Sequence, residues 1–372
     1  MKKLFTICMI SSCLIALSSC YSLEQMSIDY LLPADVNFPA QIKKVGIVNN
    51  MSNTPDNHRI VSKDTILRRY ENARRVTFHN GDPVIATESF AEALAEQNYF
   101  DVVIICDSAL RANDRIPREE TLSKREVQEL TKDLGVDMLI ALENLQIKIS
   151  RVISAAAQGG YWGTIDAKIQ PLLTLYIPQR TLPLVQVSKS DSIFWEDSGV
   201  NHSRLSTLKI TDEEIIKEAS EYAGSIPIKY LLPHWTKGAR FYYSGGNSYL
   251  RDAAIMVKHE EWDKAYARWK QLYDKNSKKK NKKRMFAAFN IALYHEMSDS
   301  IPEAQKWLKE AIELAAEIID HRYVPAINQH STTSNQVMYR YYGGQLNKRN
   351  KANSYLEIQM GRFNEEKTEN KE

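Results

Sequence analysis

Leu134-Gly-Val-Asp-Met-Leu-Ile-Ala-Leu142, continued by Glu-Asn-Leu-Gln-Ile-Lys-Ile149, joins the end of a helix to a long strand. Gly135 marks the end of a helix, because the residue past the last helical turn commonly adopts the left-handed conformation that glycine tolerates. The helix starts at a capping box, Ser123 with Glu126, and repeats Val127, Leu130 and Leu134 at steps of three and four. Met138–Leu142 is apolar at every position, as in a strand covered on both faces. From Leu145 the pattern becomes alternation through Ile147 and Ile149, so the far half of that strand has one wet face.

Upstream, Lys44–Val48 is a first strand and Val102–Cys106 a second, rich in β-branched residues. Between them Asp82 and Pro83 give a cap and a first-turn proline for a helix through Phe90, Leu94 and Ala95. Met51–Gly81 is polar and Asn-rich, and is expected to be a long loop with a local hairpin or helical turn. Downstream come alternating runs at Ile165, Ala167 and Ile169 leading to Leu175, then Val185 and Val187, then Ile193 and Trp195. A further capping box, Thr211 with Glu214, starts a helix carrying Ile215, Ile216, Ala219 and Ala223 and expected to reach Tyr230. Strand–helix alternation followed by a meander predicts a mixed-sheet α/β sandwich over residues 41–232. With the helical second half the class is α+β.

The second half contains a repeat. Ala253 and Ala292, Trp262 and Ile301, Ala265 and Ala304, and Trp269 and Leu308 are all separated by 39 residues. One offset through small and large positions is a repeat signal, the small residues letting paired helices approach and the large ones filling the space beside them. The pattern resembles tetratricopeptide repeats, with the extra length in the basic linker Lys275–Arg284. A tetratricopeptide-like helical domain is expected over 233–362, completed by Trp235–Tyr243 and a helix within Gln336–Met360, with a disordered tail at 363–372. In that register Val257, Phe286, Phe289 and Leu293 face a groove, as anchors for a partner segment or for the chain's own last helix. Trp235, Trp262, Trp269 and Trp307 fall within the repeat region and read as core packing.

At the other end, Lys2 and Lys3 precede an apolar run, Leu4–Leu17, too short to span a bilayer. Leu17-Ser-Ser-Cys20 resembles the bacterial lipobox, which implies cleavage before Cys20 and acyl chains on it; a plain secretory leader is the alternative. Residues 1–19 are then a signal peptide and 20–40 a lipid-anchored tether. Several acyl chains on one residue give stable attachment. Tyr21 in place of Asp after the cysteine leaves delivery to the outer membrane open, facing the periplasm. Losing Lys2 and Lys3 leaves 47 of the 49 cations against 46 acids, a balance that gives no case for nucleic-acid binding. Of four cysteines only Cys106 then stays free, so no internal disulfide forms, and it reads as a buried, inert thiol.

Val45–Val48, a helix, Phe100–Cys106, a second helix, Leu134-Gly-Val-Asp137 and a meander ending at Trp195 resemble the small α/β domains of curli-secretion and penicillin-binding-protein-activator lipoproteins, and the amino-terminal domain of the Tol–Pal propeller protein. With Pro233-His-Trp235, Arg240-Phe-Tyr-Tyr243 and the repeat, the whole chain resembles a family of uncharacterised outer-membrane lipoproteins of Bacteroidota-type bacteria. That resemblance implies a membrane contact through the anchor and no particular activity.

Chemistry-bearing motifs are lacking. The eight histidines show no metal-ligand spacing, His259-Glu-Glu261 lacks a second His, and Gly159-Gly160 and Gly245-Gly246 are turn signals, not phosphate loops. No Ser sits in a nucleophile elbow. No metal, small-molecule substrate or cofactor is expected beyond the acyl chains on Cys20. Lys278, Lys279, Lys280, Lys282, Lys283 and Arg284 form the sharpest charge feature, read as a solvated loop or as contact with anionic headgroups or an acidic partner. The expectation is a non-enzymatic adaptor or assembly factor that binds an envelope protein. A secretion-pore subunit and a cell-wall-directed enzyme are the alternatives.

Overall fold

The computed structural model describes residues 22–52, 61–62, 73–114, 121–156, 159–199, 210–319 and 329–369. Cys20 lies outside them. The chain forms two compact units. One takes the residues before Ala34 together with those from His234 onward, and the other is Ala34–Pro233. The expected tether over 20–40 is corrected: Leu23–Leu32 is a strand, β1. Its inward positions, Met26, Ile28 and Tyr30, alternate with the exposed Gln25, Ser27 and Asp29, which is the pattern of a half-buried strand.

In the Ala34–Pro233 unit the order is β2 (Lys44–Asn49), β3 (Val61–Ser62), β4 (Ala73–Asn80), α1 (Pro83–Glu96), β5 (Val102–Ala109), α2 (Lys124–Leu134), β6 (Met138–Ala155), β7 (Tyr161–Tyr176), β8 (Val185–Ser188), β9 (Asp191–Gly199), α3 (Asp212–Ser225) and α4 (Ile228–Leu231). These eight strands form one mixed sheet. Its first half is parallel: β2 lies between β5 and the start of β6, with Val45 opposite Val103 and Met138. Past Gln146 the place beside β6 is taken by β4, antiparallel from Asn80–Gln146 to Ala73–Ile153. β7 follows β6 along both halves, and carries β8 at one end and β9 at the other. β6 is therefore the spine, buried at each of Met138–Leu142 and alternating beyond, as its sequence requires. Within Met51–Gly81 the expected local hairpin is present as β3 antiparallel to β4, the loop expected over 73–80 is corrected to a full strand paired with the wet half of β6, and residues 53–60 and 63–72 lie outside the described ones.

The predicted caps are present. Asp82 accepts from the Val84 and Ile85 amides, Ser123–Glu126 and Thr211–Glu214 are reciprocal capping boxes, and Gly135 has φ +67°. The Asp137 carboxylate accepts from the Lys43 and Lys44 amides at 2.9 and 2.8 Å and so fixes the start of β2 beside β6. The helix expected to run from Thr211 to Tyr230 instead breaks at Ser225 and resumes as α4, because Pro227 has no amide hydrogen and hinders the preceding turn. Cys106 is half-buried on the edge strand β5 rather than enclosed, with its Sγ 3.9 Å from the Ser108 carbonyl.

Helices α1 and α3 touch at Gly224, where a Cβ would stand 2.4 Å from the Phe90 amide nitrogen and 2.6 Å from the Ser89 carbonyl carbon. Backbone cannot yield as a side chain can. Gly224→Ala is therefore expected to destabilise this unit by about 1–3 kcal/mol or more through overpacking. A thermal melt equal to wild type would show that the helices separate without cost.

The other unit pairs β1 antiparallel with β10 (His234–Tyr243), from Leu23 opposite Tyr243 to Leu32 opposite His234. Five helices follow: α5 (Ser248–Lys258), α6 (Trp262–Lys275), α7 (Lys282–Met297), α8 (Ile301–Ile319) and α9 (Gln329–Glu369). Ala253, Ala265, Ala292 and Ala304 are all fully buried, where α5 meets α6 and α7 meets α8, and Trp269 and Leu308 fill the core beside them. The chain thus has a mixed α/β sheet unit followed by an all-helical region. The disordered tail expected at 363–372 is corrected in part: α9 continues to Glu369 through helix formers such as Glu365, Glu366 and Lys367.

Candidate functional site

The alternation of β10 sends Arg240 and Tyr242 to its buried face and leaves Trp235 and Lys237 outside. Arg240 meets Glu296, in the last turn of α7. Its Nε and Nη2 donate to the two carboxylate oxygens at 2.8 and 2.7 Å, a bidentate pair. Arg349 of α9 donates to Glu296 Oε1 at 2.9 Å and to Asp299 at 2.9 Å. Glu296 is 1% exposed. A carboxylate at a helix carboxyl end opposes the macrodipole, so its place there depends on the two guanidiniums. Burial alone would push Glu296 up; hydrogen bonds and charge from Arg240, with those from Arg349, outweigh it and hold the carboxyl below its ordinary range. Tyr30 of β1 closes the knot, its ring 4.7 Å from Arg349 and 5.7 Å from Arg240.

Beside this knot, between the ribbon and the second half of α9, opens a cleft of about 570 Å³. Ile28, Leu31, Trp235, Met297, Leu356 and Met360 give it apolar walls, and Asp29, Asp299, Arg349 and Glu357 give it charge. Arg349 Nε is buried and has no hydrogen-bond partner among the described residues. Trp235 is 72% exposed. The reading of all four tryptophans as core is corrected here: Trp269 is buried, Trp262 and Trp307 pack partly buried against the core, and Trp235 stands at the cleft. The signal was the two-residue step from Trp235 to Lys237, which puts both on one face of a strand.

Of the two occupants expected for the groove, a partner segment or the chain's own last helix, the second is seen at Phe289, where Tyr339 and Tyr342 of α9 pack. Val257, Phe286, Phe289 and Leu293 are all buried in the core of the helical unit, none on an open groove. The groove side is filled from within. Tyr243 stacks on Phe286 with centroids 3.8 Å apart, and Tyr339 stacks on Phe289 at 4.6 Å. The Tyr243 and Tyr339 hydroxyls lie 2.9 Å apart. In the basic run Lys280 pairs with Glu317 and Arg284 with Glu310, both at 2.7 Å, and Lys278, Lys279, Lys282 and Lys283 are exposed.

The α/β unit has its own polar cluster, at the carboxyl ends of parallel strands, where ligands of such sheets usually bind. Asn50, just past β2, donates to Glu143 of β6 and accepts from Arg111 Nε at 2.8 Å. Tyr176 of β7 donates to Glu143 at 2.7 Å and accepts from the Leu122 amide at 3.1 Å. Burial pushes the Glu143 carboxyl up and the Tyr176 hydroxyl above its ordinary range. The groups satisfy their hydrogen bonds on one another, which ties three strands and the segment after β5 together. Among the described residues no group of three His, Cys, Asp or Glu side chains is placed to hold a metal ion. No helix among them is long and apolar enough to cross a membrane.

Comparison with known families places both halves. A family model described as Domain of unknown function (DUF8603) matches residues 42–243, more than half of the chain. A second, Domain of unknown function (DUF6340), matches residues 251–348. No curated protein matches the chain.

Proposed function

We propose that this chain, which belongs to the family described as Domain of unknown function (DUF8603), is an envelope lipoprotein that binds a segment of another envelope protein in the cleft beside Trp235. Acyl chains on Cys20 anchor it, at the outer membrane and facing the periplasm. The adaptor role of the tetratricopeptide-like unit stays with that unit and moves from the filled groove to the cleft. Trp235 carries the reading. A tryptophan left 72% exposed at the mouth of a mixed apolar and charged cleft is the kind of anchor on which protein interfaces concentrate their energy. Support also comes from shape: the cleft is open and bounded by a strand and a helix, which suits an extended peptide better than an enclosed small molecule.

The test is capture in cells. A photocrosslinking residue in place of Leu356 should trap a discrete envelope protein, and one at the exposed Lys264 should not. Trp235→Ala should reduce the Leu356 adduct about tenfold or more while leaving the melting temperature near wild type, because its side chain is mostly in water. Cys20→Ser should lose acyl label and stay unprocessed. Equal adducts at Leu356 with and without Trp235, in a fully acylated protein, would end the cleft reading.

A further inference from the structure

The direction of the β1–β10 ribbon decides how the chain meets a membrane. Arg240 contacts Glu296 near the end of α7, and Tyr243 contacts Asn290 and Phe286 nearer its start. β10 therefore runs antiparallel to α7 and finishes toward the beginning of that helix. β1 is antiparallel to β10, so β1 traced backward travels the same way. Ser22 is held there: its carbonyl accepts from the Ser244 amide at 3.0 Å, and the two hydroxyls are 3.0 Å apart. Ser22, the first described residue, is thus held at this end of the helical unit, and the two-residue step back to Cys20 covers at most about 7 Å of chain.

The same end carries the lysines. α5 starts just past Ser244, and Lys275 at the end of α6 lies 5.5 Å over the ring of Tyr249 in the first turn of α5. The loop to α7 follows, and over residues 270–284 the chain has eight cations and one acid. Lys280 and Arg284 are matched by acids of α8, and Lys270 by Asp274. Lys278, Lys279, Lys282 and Lys283 are exposed with no acidic partner among the described residues. Lys282 and Lys283 also occupy the first turn of α7, where the helix macrodipole disfavours cations. They therefore leave this end of the unit with positive charge that no acid among the described residues neutralises.

We propose that this lysine-rich end of the helical unit rests on an anionic bilayer, with Lys278, Lys279, Lys282 and Lys283 against the headgroups. The occupant is a membrane surface because Ser22, held at this end, is two residues from the cysteine proposed to carry the acyl chains; that part rests on the anchored function proposed above. Lysines near an anionic surface contribute about fivefold in partitioning each.

The experiment has two arms. First, mature chain made without a leader, and so without acylation, is mixed with vesicles of phosphatidylcholine alone or with added phosphatidylglycerol. It should sediment with the anionic vesicles only, be released by high salt, and lose most binding when the four lysines become Gln. Second, the acylated full chain is placed in anionic vesicles carrying a headgroup quencher. A fluorophore on Lys279→Cys, in a Cys106→Ser background, should be quenched, and one on Met360→Cys should not. If Cys20 takes no acyl label but the first arm behaves as stated, the anchor reading fails and the basic surface stands. If acylation is normal but the four-lysine variant binds as wild type, or the labels quench equally, the proposal is overturned. Failure to bind anionic vesicles, with binding to an acidic protein instead, also overturns it.

Discussion

Glu296→Ala should cost the helical unit about 3–5 kcal/mol, a large share of the roughly 5–15 kcal/mol by which native domains are stable. Glu296 is the shared acceptor of Arg240 and Arg349, and all three are buried. Removing it leaves two guanidiniums enclosed without their counter-charge, and Asp299, largely in water, still matches only one. The loss is the desolvation of orphaned charge, not the worth of the ion pairs, so Glu296→Leu made together with Arg240→Met and Arg349→Met should cost much less than Glu296→Ala alone. A pH dependence follows. The folded-state carboxyl lies below its ordinary value because the two arginines outweigh its burial. For an acid so depressed, the folded state holds fewer protons than the unfolded one. The contribution is fully present above the unfolded value and is lost as pH falls through the folded one. Calorimetry across the acid range should show this loss in wild type, and Glu296→Gln should lack its share. Equal acid dependence in the two would mean that Glu296 is not ionised in the folded protein.

The elements that could be read from sequence are those whose signals are local. Asp82, Ser123, Thr211 and Gly135 announce helix ends through hydrogen bonds spanning two to four residues, and each does so in the structure. The apolar run Met138–Leu142 names itself as the buried spine of the sheet. What escaped reading depends on distant partners. Leu23–Leu32 is a strand because His234–Tyr243 lies beside it, more than two hundred residues on, and nothing near Leu23 carries that information. Residues 73–80 look like polar loop because the strand they pair with is itself half wet. The ionic knot was invisible for the same reason: Arg240, Glu296 and Arg349 sit in three elements, and each alone reads as an ordinary surface charge. Of the candidate site, Trp235 alone carries a local signal, its two-residue step to Lys237 on one face of a strand.

Phe289→Ala separates the two meanings a tetratricopeptide-like pattern can have. If Phe289 were a partner anchor on an open groove, truncation would leave stability nearly unchanged and weaken binding. The structure buries it instead, with Tyr339 stacked on one side at 4.6 Å, and Tyr243 and Tyr342 against it at 5.6 and 5.4 Å. Truncation removes the ring that these tyrosines pack on and leaves a cavity they cannot close without breaking the Tyr243–Tyr339 hydroxyl contact. The expected cost is about 3–5 kcal/mol, in the range of buried aromatic truncations. Ending the chain before α9 should cost at least as much, because it removes Tyr339, Tyr342, Leu346 and Arg349 together. Phe289→Leu should recover much of the loss, since it refills volume without a stacking partner. Chemical denaturation, followed by fluorescence from the tryptophans around this core, reads all three. A Phe289→Ala protein as stable as wild type would mean that α9 leaves the groove in solution, and would favour the partner segment over the chain's own last helix as the occupant that the spacing of Val257, Phe286, Phe289 and Leu293 allows.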